Sequence, residues 1–195
     1  FNNDVPIQYH KKETIVSQNP IVSFVCVSGE ERKKYEKLTD VEKEDFVSSS
    51  AYISIPIIHV DNLYEMYHVG ISCDYEETIN MIKKAVSVNK DNEKILFAIF
   101  VILHEFGHWH DFESKGKKPY LYLKDSKEQK EVFDLKEKIL NDISLAMMSE
   151  YKIKDRLRKW FKRYNLVNCE KKANEFAMSK VKEVYNYFRD KGVVI

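Results

Sequence analysis

Residues 95–111 read ILFAIFVILHEFGHWHD, an apolar run that leads directly into two histidines and a glutamate. The residues before His104 are apolar on every side of an α-helix, which predicts a helix that passes through the core instead of lying on the surface. The run ends in the pattern His-Glu-x-x-His, formed by His104, Glu105 and His108. This stretch, called the motif helix below, therefore predicts a buried helix with polar groups at one end.

The spacing of the two histidines favours a metal site. Residues four apart are separated by about 40° around a helix, so both imidazoles can reach one ion from the same face. Glu105 is displaced by about 100°, where its carboxylate can accept a proton from a water molecule at the metal. The pattern is typical of zinc hydrolases. The alternative is that His104 and His108 make structural hydrogen bonds only.

The composition fits one domain without a strongly charged partner. The 195 residues are 44% hydrophobic and carry Lys+Arg 32 against Asp+Glu 31, with no Pro/Gly/Ser-rich linker, so we expect a single domain over 1–195. This charge balance makes nucleic acid an unexpected partner. The longest apolar run, Ile95 to Leu103, is shorter than the roughly 18 residues of a membrane span. We expect a protein or peptide substrate and no membrane span, and the sequence indicates no oligomeric state.

The cysteines bear on the compartment. Cys26, Cys73 and Cys169 lie far apart and lack the Cys-x-x-Cys spacing of a structural zinc site. They suggest either a reducing compartment, for which the cytoplasm is favoured, or buried thiols. Because the chain begins at Phe1 without an initiator Met, secretion is kept as a second expectation.

Strand patterns occur early in the chain and helical patterns late. β-Branched and aromatic runs at Ile21–Val27, Tyr52–Val60 and Tyr64–Ser72 predict a strand-rich region over about 1–75, and helical spacing prevails over about 76–195. This order predicts an α+β fold with a small mixed sheet over the motif helix and a mainly helical C-terminal half. Pro56 cannot donate to a sheet ladder and therefore indicates an edge strand or a bulge. Tyr52–Val60 is the nearest candidate for an edge strand that holds an extended peptide.

A catalytic zinc needs a third protein ligand, and a glutamate on a later helix is the strongest candidate. Helical spacing places Glu170 in the centre of an apolar face. A buried carboxylate requires a cation or hydrogen-bond partners, and the two-histidine site lacks one ligand. We therefore expect Glu170 to be the third ligand. The alternatives are Glu175, Asp111 and the region of Glu113.

Other residues near the motif receive different roles. Ser114 occupies the position where one large class of zinc proteases has a third histidine, which excludes that class. His110 points about 120° away from His104 and is expected to be structural or exposed to solvent. Asp111 lies near the histidine face, where it can accept a hydrogen bond from an imidazole N–H.

Two segments carry a family resemblance. Residues 170–177, Glu-Lys-Lys-Ala-Asn-Glu-Phe-Ala, resemble the Glu-x-x-Ala-Asn-x-Phe-Ala helix that follows His-Glu-x-x-His in the ImmA/IrrE-type metallopeptidases of the gluzincin class. His-Glu-Phe-Gly-His at 104–108 also resembles the lethal-factor-like secreted proteases. The resemblance implies a zincin-like fold, Zn²⁺ bound by His104, His108 and Glu170, Glu105 as the catalytic base, and Asn174 as a partner of a ligand.

These observations together predict metal-assisted peptide hydrolysis. Glu105 is expected to accept the proton of the attacking water and deliver it to the leaving nitrogen. Lethal-factor-like proteases have a tyrosine shortly before the glutamate ligand, and Tyr164 lies six residues before Glu170. The resemblance therefore implies that Tyr164 stabilises the oxyanion, with an ordinary packing role as the alternative.

Residues 151–164 suggest a different function, because seven Lys and Arg residues interleave there with Trp160 and Phe161. Basic residues between aromatic rings can bind nucleic acid. The alternative hypothesis is therefore that the chain has a zincin fold without catalytic activity and serves as a regulatory or nucleic-acid-binding module. A solvated helix with an apolar underside has the same composition, and we favour that interpretation.

Overall fold

The computed structural model of the chain describes residues 5–10, 22–68, 74–146 and 149–192, and within them the fold is α+β. Its elements follow in the order β1 (Ile7–His10), β2 (Ser23–Val25), α1 (Gly29–Tyr35), α2 (Asp40–Asp45), β3 (Tyr52–Pro56), α3 (Val60–His68), α4 (Asp74–Ile82), α5 (Glu93–Ser114), α6 (Pro119–Ala146), α7 (Glu150–Tyr164) and α8 (Asn168–Asp190). The helical second half agrees with the prediction from sequence.

The sheet is small and mixed, as predicted. β1 runs parallel to β3 and β2 runs antiparallel to it, which gives the strand order β1-β3-β2. The prediction of an edge strand at Tyr52–Val60 is wrong, because β3 is the central strand. Among the described residues, β1 and β2 form the two edges.

Pro56 lies beyond the residues of β3 that pair with the described part of β2. The main-chain N–H groups of Ile53 and Ile57 donate to the carbonyls of Pro6 and His10 on the β1 side, at 2.9 and 2.8 Å. Main-chain groups alternate in direction along a strand, so the nitrogen of Pro56 faces the β2 side. Within the described residues, β2 pairs with residues 52–54. The missing N–H of Pro56 therefore costs no hydrogen bond to Ser23, Phe24 or Val25.

The prediction of a strand at Tyr64–Ser72 is also wrong where the structure describes it. The segment up to His68 belongs to α3, and residues 69–72 lie outside the described ranges. Leu63 is buried, and Tyr67, one helical turn later, packs its ring 5.1 Å from that of Phe97. The spacing that buries these side chains is that of a helix. The region 1–75 thus contains α1, α2 and α3 besides its strands.

Helix α5, the motif helix, passes through the main core. Leu96, Phe97 and Phe112 are almost completely buried along its length. α8 packs along one side of α5, and β2 and β3 contact another. The sheet and α8 therefore meet the polar end of α5 from different directions. No helix in the described ranges is long and apolar enough to cross a bilayer.

The loop before β3 is fixed to α1 by one carboxylate. Glu31 accepts main-chain hydrogen bonds from Ser49 at 3.0 Å and Ser50 at 2.9 Å, and hydroxyl hydrogen bonds from Ser48, Ser49 and Ser50. Burial tends to raise the pKa of this carboxyl, but these donors outweigh it and lower the pKa to about 2. Glu31 thus sets where the chain enters the central strand.

Candidate metal centre

A glycine brings the two helices of the site together. A Cβ atom on Gly107 of α5 would lie 2.6 Å from the Cα atom and 2.9 Å from the carbonyl oxygen of Ala173 on α8. These distances are too short for any side chain, so only glycine permits this crossing. Ala173 itself is fully buried. The close approach places Glu170, one turn before Ala173, opposite the histidines of α5.

Three side chains converge where these helices cross. The Nε2 atoms of His104 and His108 are 3.1 Å apart. The Oε2 atom of Glu170 lies 3.1 Å from Nε2 of His104, and its Oε1 atom lies 3.4 Å from Nε2 of His108. Ligands about 2.0–2.1 Å from a tetrahedral zinc are separated from one another by about 3.3 Å. The three side chains therefore have the mutual spacing that one zinc ion requires.

The Glu170 carboxylate is buried with charge partners on both sides. Its side chain is fully enclosed, and those of His104 and His108 are 15% and 6% exposed. Burial tends to raise the pKa of Glu170, but hydrogen bonds and charge from the two imidazoles hold it below the usual range. Burial tends to lower the pKa of His104, but its contact with Glu170 raises it to about 9. A carboxylate in this position is stabilised by positive charge, which a metal ion also supplies.

An amide chain orients one imidazole. Oδ1 of Asn174 lies 2.9 Å from Nδ1 of His104, and Nδ2 of Asn174 donates to Oδ1 of Asn165 at 3.0 Å. Because Asn165 accepts from the amide nitrogen, the amide oxygen of Asn174 faces His104, and the imidazole donates to it from Nδ1. Donation from Nδ1 directs Nε2 toward Glu170 and His108, where a metal ion would replace the Nε2 proton. Sequence reasoning missed Asn165, which lies at the C-terminal end of α7, nine residues before Asn174. No sequence motif marks this residue.

Glu105 is positioned by the edge of the sheet. Its Oε2 atom accepts a hydrogen bond of 2.7 Å from the main-chain N–H of Phe24 on β2. Ile53, the β3 residue opposite Phe24, directs its N–H to the β1 side. Phe24 therefore directs its own main-chain groups toward the open edge of β2, where Glu105 lies. Sequence reasoning missed Phe24, since a main-chain donor leaves no residue signature.

The Glu105 carboxylate belongs to the same cluster as the imidazoles. Donor atoms of His104, Glu105 and His108 all lie within 4.8 Å of one another. Burial raises the pKa of Glu105, and the positive charge of the two histidines opposes the rise. The cluster thus combines two nitrogen donors with a carboxylate that is held by Phe24.

Two tyrosines share a cavity with these residues. Tyr164 and Tyr67 both line a space of about 350 Å³ into which His104 and Glu105 also project. The ring of Tyr164 stacks on Trp160 at 5.3 Å. Burial, together with the charge of Glu105, raises the pKa of Tyr67 above its usual range. The oxyanion role of Tyr164 stays a prediction. Tyr67 is a second candidate for this role, which the prediction of a strand at Tyr64–Ser72 did not indicate.

The other candidate ligands lie elsewhere. Asp111 is buried, but its two oxygens bind the ammonium groups of Lys115 and Lys172, each at 2.6 Å. The expectation that Asp111 accepts from an imidazole is therefore not met, and Asn174 occupies that position beside His104. Glu175 and Glu113 pair with nearby lysines on exposed parts of their helices. His110 is exposed and packs near Phe176, as expected.

The two rings of segment 151–164 that suggested nucleic-acid binding, Trp160 and Phe161, are not available for base stacking. Trp160 and Phe161 are buried in a second core cluster, where Trp160 Nε1 donates to the carbonyl of Val132 at 2.6 Å. Arg158 contacts Glu76 and Glu77 of α4. Base stacking needs exposed rings. The segment matches the favoured interpretation, a solvated helix with an apolar underside.

Comparison with known proteins gives no assignment for this arrangement. No family model, no curated protein and no solved structure matches the chain.

Proposed function

We propose that this protein is a zinc-dependent endopeptidase with a zincin-like fold of the gluzincin type. The observation that carries the proposal is the convergence of His104, His108 and Glu170 at 3.1–3.4 Å, with Glu105 beside them. Three donors of this kind suit a catalytic zinc, since a structural zinc is typically enclosed by four protein ligands. Zinc held by these side chains would supply a Lewis acid that activates water near neutral pH and polarises a carbonyl.

The chain's own residues divide the remaining work. The Phe24 N–H holds one oxygen of Glu105, which fixes the carboxylate while it accepts a proton from water and passes it to the leaving nitrogen. Asn174 keeps the His104 ring in one orientation. Tyr164, or Tyr67 across the same cavity, would donate a hydrogen bond to the oxygen on which negative charge develops.

The open edge of β2 is the place where a peptide would lie. An extended substrate can add to an unpaired strand edge through main-chain hydrogen bonds. β2 borders Glu105 directly, whereas the central strand β3 already pairs on both sides. Because the Phe24 N–H donates to Glu105, a peptide on this edge would bond to the outward-facing carbonyl of Phe24. The strand-addition site predicted at Tyr52–Val60 is therefore reassigned to β2.

Zinc-loaded protein tested on a mixed peptide library decides the proposal. We expect cleavage that stops with a chelator and returns with Zn²⁺. Glu105→Gln should keep one zinc per chain and lose activity by about 10²–10⁴-fold, while Glu113→Gln, at an exposed place on the same helix, should behave as wild type. Undiminished turnover by Glu105→Gln, or no cleavage by fully zinc-loaded protein, would overturn the proposal.

A further inference from the structure

The cavity beside Glu105 extends well beyond the metal centre. His104 and Glu105 line one part of it, and its other walls come from α3, α4 and α7 as well as α5. Phe97, Phe100, Val101 and His104 are spaced along one face of α5, so the cavity follows that helix for roughly 10 Å. Its volume of about 350 Å³ lies within the range of small-molecule sites, about 300–1,000 Å³.

The walls of this cavity are mainly aromatic and sulfur-containing. The large apolar side chains that line it are Met66, Met81, Phe97, Phe100, Trp160 and Phe161. Trp160 is held in place by its hydrogen bond to the Val132 carbonyl. A ring fixed in this way gives the cavity a preformed shape, which reduces the ordering cost of binding.

Apart from the residues of the metal centre, the charged groups of the lining are paired with each other. Lys136 binds Asp74 at 2.7 Å, and its ammonium group lies 4.5 Å from the centre of the Trp160 ring. A charged side chain that entered the cavity would lose its hydration and gain only apolar walls and a neutral ion pair in return. This transfer is costly in free energy. The chemistry of the cavity therefore selects against charged side chains.

The cavity reaches the chain just before the edge strand β2. Val22, two residues before Phe24, is one of its lining residues. Alternate side chains of an extended peptide point to the same side, so a peptide along β2 would direct one side chain into this space. The cavity is thus placed to sample a substrate residue close to the reacting bond.

We propose that this cavity selects a large apolar side chain, aromatic above all, next to the cleaved bond. The inference rests on the proposed peptidase function. A cavity of about 150 Å³ lined by apolar side chains already holds benzene, so this one accommodates a phenyl or indole ring. Alanine or glycine would leave most of it unfilled. Specificity for rings and long aliphatic chains follows, by roughly ten- to a hundredfold in kcat/KM over alanine.

Two substitutions on α4 test the assignment through cleavage. Thr78→Trp and Met81→Trp each add volume to the cavity wall, and Asn80→Trp on the exposed side of α4 is the matched control. Wild type and Asn80→Trp should prefer Phe, Tyr, Trp, Leu and Met at one library position. The filled variants, with unchanged zinc content and circular dichroism, should shift their preference to small residues. Persistence of the large-residue preference in both filled variants would overturn the inference.

A binding measurement separates this inference from the catalytic proposal. The indole N–H signal of Trp160 in a nitrogen-15 NMR spectrum of Glu105→Gln protein should shift with N-acetyl-phenylalanine amide and not with N-acetyl-alanine amide. That shift without cleavage of any peptide would retain the cavity assignment and reject the peptidase. The assignment would be rejected if wild-type protein cleaved peptides without preference for large apolar residues. It would also be rejected if the indole signal did not shift with N-acetyl-phenylalanine amide. If neither filled variant folds, the residue preference of wild-type cleavage and the shift of the indole signal test the assignment by themselves.

Discussion

Asn174 contacts His104 and Asn165 with opposite ends of one amide group, at 2.9 and 3.0 Å. An amide can be rotated by 180° at little steric cost, so its orientation depends on the hydrogen bonds at both ends. Asn165 accepts from the nitrogen and thereby commits the oxygen to the imidazole. The orientation of a candidate zinc ligand is thus set by a residue that does not touch it.

Removing that acceptor should weaken metal binding. We expect Asn165→Ala to raise the zinc dissociation constant by about tenfold or more, as is typical when an outer partner of a ligand is lost. Asn165→Asp keeps an acceptor for the Asn174 amide and should stay within a few-fold of wild type. Competition with a fluorescent chelator measures both constants. Equal affinity of Asn165→Ala and wild type would contradict the orienting role.

Loss of the Glu170 carboxylate should be more severe. Glu170→Ala removes one of three donors, so we expect zinc affinity to fall beyond the ten- to hundredfold range of outer-partner changes. Glu175→Ala, on the exposed face of the same helix, should leave affinity unchanged. Metal content after dialysis against a weak chelator distinguishes the two variants. Full zinc occupancy in Glu170→Ala would show that the third ligand lies elsewhere.

Gly107 should tolerate no side chain. Alanine normally stabilises a helix interior by up to about 1 kcal/mol over glycine, but here its Cβ would meet the backbone of Ala173. We expect Gly107→Ala to lower the free energy of unfolding by about 1–3 kcal/mol and to weaken zinc binding, because the two helices must move apart. Urea denaturation of the metal-free protein gives the stability change. Glu113→Ala is the exposed control on α5, and a Gly107→Ala protein more stable than wild type would refute the close approach.

The contact between Phe24 and Glu105 can be removed with proline. Phe24→Pro and Phe24→Ala both lose the ring, but only proline also loses the N–H, at a strand edge where proline is tolerated. We expect Phe24→Pro to turn over about ten- to a hundredfold more slowly than Phe24→Ala, the range expected for a hydrogen bond to a charged group. Zinc content should be equal in the two variants. Identical kcat values would show that the main-chain contact does not position the base.

Acid should loosen the attachment of the β3 loop. The folded protein lowers the pKa of Glu31 from 4.5 to about 2, so this group contributes stability above pH 4.5 that is lost as the pH falls toward 2. We expect the difference in unfolding free energy between wild type and Glu31→Gln to shrink over that interval. Denaturation curves at several pH values measure it, with Glu36→Gln, directly after α1, as the exposed control. A difference that stays constant with pH would exclude the shifted pKa.

The helical half of the site could be predicted because its pattern is local. The all-round apolar character of α5 and the position of Glu170 in an apolar stripe are both visible along the sequence, and Glu170 is indeed fully buried. The sheet could not be predicted so well. Strand order depends on pairing between distant segments. Pro56 misled because the side of a strand that its nitrogen faces is set by that pairing and is not visible in the sequence.

The error at Tyr64–Ser72 has a similar origin. Aromatic and β-branched residues favour strands only weakly, and tertiary packing overrides that preference. Here the contact of Tyr67 with Phe97 favours a helix. Phe24 and Asn165 went unnoticed for another reason, since each acts through a contact made by the fold and not through a pattern of neighbours.

The hydrogen bond from Phe24 to Glu105 has a genetic consequence. Its donor belongs to the peptide backbone, which every residue except proline supplies in the same form. A substitution at position 24 other than proline is therefore tolerated according to how well the new side chain packs between Trp109, Phe112 and Tyr122. Position 24 can diverge among descendants of this chain as an ordinary core position would, while the contact to the base is inherited unchanged.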